Sequence, residues 1–312
     1  MAWPALFLLL LVLTSCRITS GEPGKVTAVR LPAEEVPARL GELEVLAAFE
    51  LRSADRRFGG ISAARFDGGR LLLLSDRSRL FEIEWPGEAT GDGWAATILD
   101  RRHLTHGAGD ALDAEALVVD SDHRLLVADE SGNQIFAYAP GQDGPGTPFW
   151  QPPQPFQAGA AVNKGVEALT ELSDGALLAI GEGSGGRPGI HPAAVRSTSG
   201  AVRIGTYAGD TRLDPSDAAT AGDRLLVLER GVSLLTGWRV RIVAVPTAEI
   251  AGDPLQVPRG RVLATISRAI GENYEALAVR PEGDGSFELV LVSDDNFSPL
   301  QRTLLLELRW RP

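Results

Sequence analysis

Residues 69–76 read GRLLLLSD, a turn followed by a short apolar run that ends at an acid. We interpret this segment as a short strand. The same pattern returns four more times along the chain, in His123–Asp129, Gly175–Glu182, Asp223–Glu229 and Phe287–Asp294. Self-similarity of this kind predicts a repeat architecture.

A second short strand precedes each copy and begins at a polar residue. The five starting residues, separated by 53, 52, 50 and 58 positions, are Ser62, Glu115, Glu167, Asp217 and Glu275. A period of this size built from short strands is the signature of an all-β fold, the β-propeller, whose blades are four-stranded antiparallel sheets. The alternative, an all-β sandwich, requires no fixed period, so the repeat favours a single propeller.

The remaining strands predict five four-stranded blades. Third strands are expected at Leu80–Trp85, Gln134–Ala139, Trp238–Pro246 and Thr303–Trp310, and fourth strands at Trp94–Leu99, Val202–Tyr207 and Arg261–Ile266. The last blade lacks a fourth strand, and we predict that the N-terminal segment Leu43–Leu51 completes it and closes the ring. A sixth blade, the alternative count, would have to lie in the Pro-rich stretch Pro140–Gln157.

This topology predicts that acidic side chains converge at one end of the channel. The innermost strand of a blade lines the channel and the next strand runs antiparallel to it, so first-strand starts and second-strand ends share one end. Four of the five first-strand starts are acidic, and the five second-strand ends are Asp76, Asp129, Glu182, Glu229 and Asp294. Like charges about 4 to 6 Å apart raise each other's pKa unless something neutralises them.

A hard cation would neutralise such a ring, and Ca²⁺ is the expected metal because it takes oxygen ligands. The predicted metal ligands are Glu115, Glu167, Asp217, Glu275, Asp76 and Asp294. Zn²⁺ fits less well, since the chain has one Cys and four His and no cluster of either near the acids. Alternatively, the acids cap backbone N–H groups or pair with nearby arginines.

Composition excludes several other classes of function. The 312 residues carry 30 Lys and Arg against 41 Asp and Glu, a net charge of −11, which argues against a nucleic-acid partner. With 44% hydrophobic and 23% charged residues, the composition is that of a globular protein. A single Cys excludes a disulfide framework within one chain. We expect a monomer with a small-molecule substrate.

The N-terminus reads as an export signal. Ala2–Leu13 is apolar but too short to span a bilayer as a helix, and it fits the core of a secretory signal. It runs into Leu13-Thr14-Ser15-Cys16, which resembles the bacterial lipobox and makes Cys16 the expected site of lipidation in the cell envelope. A plain cleaved signal is the alternative. We therefore divide the chain into a signal (1–15), a tether (16–41) and a propeller domain (42–312).

Five segments together resemble the phytase-like family described as "esterase-like activity of phytase". They are Gly59–Ser62, Asp113–Leu117, Asn163–Leu169, Leu228–Arg230 and, most specifically, Ser293–Phe297 with Gln301–Thr303. The likeness covers roughly Leu43 to Leu308, and it implies an exported β-propeller that hydrolyses phosphate esters or related esters. The chain departs from the family at Lys164, where Arg is usual, and at Ala116, Ala168 and Ala276, where Gly often follows the Glu.

Two classes of function remain open from the sequence. In the first, a calcium-dependent hydrolase uses Glu115, Glu167 and Lys164 as catalytic residues and binds an anionic substrate through Arg77, Lys164, Arg230, Arg302 and Asn296; a lactonase or arylesterase is a close variant for a neutral substrate. In the second, a non-catalytic envelope protein uses the propeller as a binding or scaffold module with a structural metal. Arginines that point into the channel beside the acids would favour the hydrolase, and arginines buried against the acids would favour the scaffold.

Overall fold

The computed structural model describes residues 24–87, 91–107, 109–153, 165–183, 187–233, 235, 237–267 and 270–312. Its regular elements are strands, apart from a single short 3₁₀ turn, Thr247–Glu249, within these ranges. No helix among the described residues is long and apolar enough to cross a membrane.

Over these ranges the strands form four hydrogen-bonded sheets of eleven, four, five and four strands. We divide them into five groups of four consecutive antiparallel strands, called units; the eleven-stranded sheet contains units 1 and 5, and the first strand of each unit is innermost. Unit 1 contains β4 (Ile61–Asp67), β5 (Arg70–Ser75), β6 (Arg79–Glu84) and β7 (Gly93–Thr105), and unit 2 contains β8 (Ala114–Val119), β9 (Leu125–Asp129), β10 (Gln134–Tyr138) and β12 (Thr147–Trp150). Unit 3 contains β13 (Val166–Glu171), β14 (Leu177–Gly181), β15 (Ile190–Arg196) and β16 (Val202–Ala208). Unit 4 contains β17 (Asp214–Ala221), β18 (Arg224–Ser233), β19 (Gly237–Pro246) and β21 (Arg261–Ser267), and unit 5 contains β22 (Tyr274–Pro281), β23 (Phe287–Ser293), β24 (Leu304–Trp310) and β3 (Leu43–Ser53).

The innermost strands close a ring. Strand β4 contacts β8, and the contacts continue through β13, β17 and β22 back to β4. The all-β propeller predicted from the repeat is therefore confirmed. The described part of Pro140–Gln157 supplies β12 and the two-residue strand β11 (Gly144–Pro145), which pairs with β7, so no further unit is assigned within the described residues.

The N-terminal strand completes the last unit, as predicted. Strand β3 pairs antiparallel with β24, with Glu50 opposite Leu304 and Glu44 opposite Arg309. The segment expected to be a tether contributes to the sheet as well: Lys25–Arg30 forms β1, which pairs with β3 on one side and β7 on the other. The short strands β2 (Arg39–Leu40) and β20 (Leu255–Val257) pair with β3 and β16. Strand β1 thus lies before residue 42, the start of the predicted propeller domain.

The core lies between neighbouring units, because each blade packs both faces against its neighbours. The apolar run Leu71–Leu74 of the first repeat is almost completely buried. Leu71 and Leu73 pack with the side chains of unit 5, whereas Leu72 and Leu74 pack with those of unit 2. Truncating one such leucine to alanine typically costs about 2–5 kcal/mol. The second strand of each unit can therefore be apolar on both faces. For this reason the repeats appear in the sequence as continuous apolar runs.

Candidate functional site

A β-bulge at the start of every first strand positions one set of side chains. In each unit the register shifts by one residue, as it does between Ala114 and Ala116. The five bulged residues are Ser62, Glu115, Glu167, Ser216 and Glu275. A bulge leaves its extra residue out of the ladder and changes the direction of the side chain. All five positions hold an acid or a serine at the same end of the channel, which we call the mouth.

A second set of side chains comes from the mouth-side part of each second strand. In each unit, one residue of the second strand pairs with the residue just before the bulge, and the next residue belongs to this set. The five residues are Asp76, Glu130, Glu182, Arg230 and Asp294. In four units the backbone fixes this position, because the amide of the acid donates to a carbonyl two residues before the bulge, as Asp294 does to Asn273 at 2.8 Å. The fourth unit carries an arginine where the other four carry an acid.

The two sets meet in an open cavity of about 220 Å³ at the mouth. It is lined by Asp76, Glu115, Glu130, Glu167, Glu182, Arg230, Glu275, Asp294 and Asn296. Seven carboxylates thus face one guanidinium in a space that can hold a small ligand. The structure therefore brings together five of the six predicted metal ligands, the exception being Asp217, and two of the predicted substrate-binding residues, Arg230 and Asn296.

Burial and mutual repulsion raise the pKa values of these carboxyl groups. Burial is the main cause for Glu115 and Glu167, whose pKa values lie well above the usual range, and neighbouring carboxylates add to it. The pKa of Asp294 rises to about 8, again through burial and then through Glu275. The pKa values of Asp76, Glu130 and Glu275 are raised as well, with burial as the largest cause. Protons or a cation must compensate this cluster at neutral pH.

The donor set fits a hard divalent cation. Two triads, Asp113 with Glu115 and Glu130, and Glu130 with Glu167 and Glu182, each hold ligand oxygens within 4.8 Å of one another. Glu130 belongs to both triads, so the ligand oxygens form one continuous group. All the donors are carboxylates, the chemistry that Ca²⁺ and Mg²⁺ prefer, whereas no thiolate or imidazole lines the cavity in the described part of the chain.

Arg230 partly balances the carboxylates. A nitrogen of its guanidinium lies 2.8 Å from Oε1 of Glu275, and 22% of its side chain is exposed. Burial would lower the pKa of Arg230, but the surrounding carboxylates, led by Glu275 and Glu167, raise it above its usual value. Arg230 therefore carries a permanent positive charge beside the acids and within the cavity.

Asp217 does not line the cavity, which corrects its place among the predicted metal ligands. The bulge in unit 4 falls on Ser216, so Asp217 occupies the next position, where the other units have alanine. Its carboxylate is completely buried and accepts hydrogen bonds from Arg65 and from the amide of Leu277. A shift of one residue in register sends a side chain to a different face of the strand.

Two acids predicted at the ends of second strands, Asp129 and Glu229, come one residue before the side chains that line the cavity. Asp129 accepts hydrogen bonds from the amide of Asp113 and from Ser131, which makes it a cap of the local turn. Glu229 accepts a 2.7 Å hydrogen bond from the hydroxyl of Tyr207. Their neighbours Glu130 and Arg230 take the cavity positions. The backbone-capping alternative therefore describes Asp129 and Glu229 well.

The other predicted binding residues lie around the mouth or outside the described residues. Arg77 is exposed and stacks over the ring of Phe297, 3.6 Å from its centroid. Arg302 donates to Glu272 at 3.0 Å. Lys164 and Cys16 lie outside the described residues, so their predicted roles stay predictions.

Arg65, which was not among the predicted site residues, occupies the channel beneath the cavity. Its guanidinium donates to Asp217 and to the backbone carbonyls of Ala64, Leu169, Ala218 and Leu277, which belong to four different units. The only signal was a single charged residue in a first strand that otherwise begins with small side chains, ISAARF. Arg65 forms the floor below the carboxylates.

Sequence comparison places this architecture in a known family. The family model "Phytase-like: Esterase-like activity of phytase" matches residues 56–297, which include every residue that lines the cavity. The chain belongs to this family. No protein with curated annotation matches the sequence.

Comparison of folds finds several distant structures. A glutaminyl cyclase from Myxococcus xanthus shares 13% identity, with 81% of this chain and 92% of that chain covered and a TM-score of 0.44. A virginiamycin B lyase from Staphylococcus aureus shares 12% identity, with 84% and 70% covered and a TM-score of 0.41. The Cps50 (Swd1) β-propeller domain from Myceliophteria thermophila shares 10% identity, with 92% and 100% covered and a TM-score of 0.41.

Proposed function

We propose that this member of the phytase-like family is a calcium-dependent hydrolase of phosphate esters that acts in the cavity at the channel mouth. One observation carries the proposal: seven carboxylates and one arginine converge in a cavity large enough for a small ligand. A structural role alone does not account for such a cluster, since the carboxylates repel one another until a cation or protons compensate them.

The proposed ligands are the acids of the two triads, Glu115, Glu130, Glu167 and Glu182 with Asp113. Asp76, Glu275 and Asp294 line the rest of the cavity and would complete an oxygen shell directly or through water. When bound, the cation supplies charge neutralisation, polarisation of the ester and a lower pKa for a water molecule.

The side chains of the cavity would bind and orient the substrate. Arg230 is placed to contact the anionic oxygens of a phosphate ester, because it lines the cavity beside the acids. The amide of Asn296 lies on the same lining. We also assign Lys164 to the substrate, because it comes directly before Gly165 in the sequence and the amide of Gly165 donates to Oε1 of Glu130 at 3.3 Å.

Metal content and turnover test the proposal. The purified protein is treated with a chelator, reloaded with Ca²⁺, Mg²⁺ or Zn²⁺ and assayed on phosphate monoesters, aryl esters and lactones. We expect bound calcium and calcium-dependent hydrolysis of a phosphate ester. A protein that binds no metal and turns over none of these substrates would not be this enzyme.

A neutral ester or lactone is the second candidate substrate, and the lining supports it. Arg230 is the only basic side chain on the cavity wall among the described residues, and it is already paired with Glu275. An acidic wall repels phosphate unless the cation compensates it, whereas a neutral ester meets no such barrier. The same substrate panel separates the two candidates. Calcium binding without any turnover would instead support the non-catalytic envelope module.

We also propose that the protein is exported and anchored in the cell envelope through a lipid on Cys16. The support is the apolar segment Ala2–Leu13 followed directly by Leu13–Cys16. Mass spectrometry of the mature protein tests this, because lipidation makes Cys16 the first residue and adds the mass of acyl chains. An N-terminus at another residue, without added lipid, would contradict it.

A further inference from the structure

The three most exposed large apolar side chains of the described residues lie on one face of the ring. They are Leu235, with 96% of its surface exposed, Leu300, with 91%, and Val232, with 66%. Val232 and Leu235 sit on the hairpin between β18 and β19, and Leu300 sits in the loop between β23 and β24. Both connections lie at the mouth end, since β18 and β23 run toward the cavity.

Exposed charge is distributed unequally between the two faces. The connections at the mouth end carry the exposed bases Arg56, Arg57, Arg77, Arg187 and Arg212, and Asp110 is the exposed acid there among the described residues. At the opposite end, exposed acids outnumber exposed bases. The acids include Glu35, Glu84, Asp122, Asp174, Glu249 and Asp284, and the bases are Arg39, Arg70, Arg203, Arg259, Arg261 and Arg311. Seven acids of the mouth end line the cavity, and Asp55 and Glu272 are half-buried and paired with arginines. The exposed side chains of the mouth end are thus mainly basic and apolar, although the whole chain is acidic.

The first strand of the described chain begins near this same face. Strand β1 begins at Lys25, whose carbonyl accepts a 2.8 Å hydrogen bond from the hydroxyl of Ser53, at the mouth-side end of β3. Cys16 precedes Lys25 by nine residues. Even fully extended, nine residues span at most about 30 Å. A lipid on Cys16 would therefore hold the domain close to a bilayer with its mouth side nearest.

We propose that the mouth face docks on an anionic phospholipid bilayer, with Leu235, Leu300 and Val232 inserted between headgroups and the rim arginines against lipid phosphates. Two contributions favour binding of exposed apolar side chains surrounded by basic ones to an anionic membrane surface. They are the burial of apolar area and the electrostatic attraction to anionic lipids. At the opposite face exposed acids outnumber exposed bases, so the same surface attracts it less than it attracts the mouth face. This inference relies on the proposed lipidation of Cys16 only for the tether; the docking face stands on the residues of the folded domain.

Environment-sensitive labels on the exported, mature protein test the orientation. Leu235→Cys and Leu300→Cys are labelled with a nitrobenzoxadiazole dye, and Val202→Cys is the matched control, because Val202 is an exposed valine (40%) at the opposite end of the ring. Vesicles of phosphatidylcholine alone and with phosphatidylglycerol are added. We expect a blue shift at 235 and 300 with the anionic vesicles, weaker at high salt, and none at 202. Equal spectra at all three positions, with vesicles of either kind, would overturn the proposal.

Charge substitutions provide the second measurement. Leu235→Asp and Leu300→Asp together should lower the partition of unlipidated protein onto anionic vesicles at least tenfold. Val202→Asp and Val262→Asp together add the same two charges at exposed valines of the opposite face, and they should change it less than twofold. Loss of partition in all variants alike would reject this face as the contact. If the label at 235 shifts only when envelope proteins are added, the partner is a protein and the bilayer proposal is wrong. Mass spectrometry of the N-terminus reports the lipid separately, so a missing lipid and a wrong docking face give different results.

Discussion

Arg65 and Asp217 form two hydrogen bonds in the channel, 2.8 Å from Nη1 to Oδ2 and 2.7 Å from Nη2 to Oδ1. Asp217 is completely buried and Arg65 is 8% exposed. The remaining donor capacity of the guanidinium is used by backbone carbonyls of four units. One side chain on a first strand therefore links units across the axis.

Replacing Arg65 with methionine should lower the free energy of unfolding by about 3–5 kcal/mol, because the carboxylate of Asp217 would be left buried without its partner. Urea unfolding of the calcium-free protein measures this. The double variant Arg65→Met with Asp217→Leu removes both charges and should regain much of the loss. Unchanged stability in the single variant would show that the pair does not hold the units together.

Asp217→Asn should leave calcium affinity within about twofold of the original, although Asp217 was expected from the sequence to be a ligand. The reason is its position beneath the cavity, where it bonds to Arg65 and to the amide of Leu277. Isothermal titration with Ca²⁺ is the measurement. A large loss of affinity in this variant, with stability preserved, would return Asp217 to the ligand set.

Glu167→Gln should weaken calcium binding at least tenfold and abolish calcium-dependent turnover, because Glu167 belongs to a ligand triad and is buried in the cavity. Glu171→Gln is a matched control at the other end of the same strand, β13, and outside the cavity lining. Titration and the ester panel compare the two. The ligand assignment fails if both variants behave like the original protein.

The sequence predicted the fold well because its strongest signals are local. Each continuous apolar run, such as Leu71–Leu74, marks one strand, and the nearly constant period between the runs shows where the next repeat begins. The closing strand β3 followed from the same logic, since it was an apolar segment without a partner. Strand β1 was missed because Lys25–Arg30 lies among prolines and glycines, and its pairing with β3 and β7 is purely tertiary.

The site was predicted less completely, for two physical reasons. Glu115, Glu167 and Glu275 were placed at the mouth because each is the first polar residue of its strand, and each proves to be the bulged residue. The bulge itself is invisible in the sequence, so in unit 4 the acid Asp217 was chosen over its neighbour Ser216. The role of Arg65 could not be predicted from its one weak signal in the sequence, because the carbonyls that it contacts come from four units and only the closed ring brings them together.

The calcium-free protein should become less stable as pH rises from about 4.5 to 8. Burial raises the pKa values of Glu115, Glu167 and Asp294 in the folded state, to about 8 for Asp294. Above pH 4.5 the unfolded chain has already lost these protons whereas the folded protein retains them, so each pH unit favours unfolding until the folded groups ionise.

Thermal unfolding in the presence of a chelator at pH 5 and pH 8 measures this, and we expect the lower Tm at pH 8. Saturating Ca²⁺ should remove most of the difference, because it binds the ionised carboxylates of the folded state alone. The control variant Asp294→Asn should show a shallower dependence on pH in the absence of metal. A Tm in chelator that rises from pH 5 to pH 8 would contradict the assignment of these carboxyls as protonated in the metal-free protein.

Arg230→Gln should distinguish the two candidate substrate classes. If Arg230 contacts an anionic substrate, kcat/KM for a phosphate ester should fall about 10- to 100-fold, the size of a charge-assisted hydrogen bond of about 1.5–3 kcal/mol, whereas that for a neutral aryl ester should change little. Arg230→Lys is the control that keeps the charge near Glu275 but loses the planar fork, and it should recover part of the phosphate-ester activity. Steady-state kinetics on both substrates, with Ca²⁺ affinity measured for each variant, provide the comparison. An equal loss on both substrates would mean that Arg230 orders the carboxylates of the cavity and does not bind the anion.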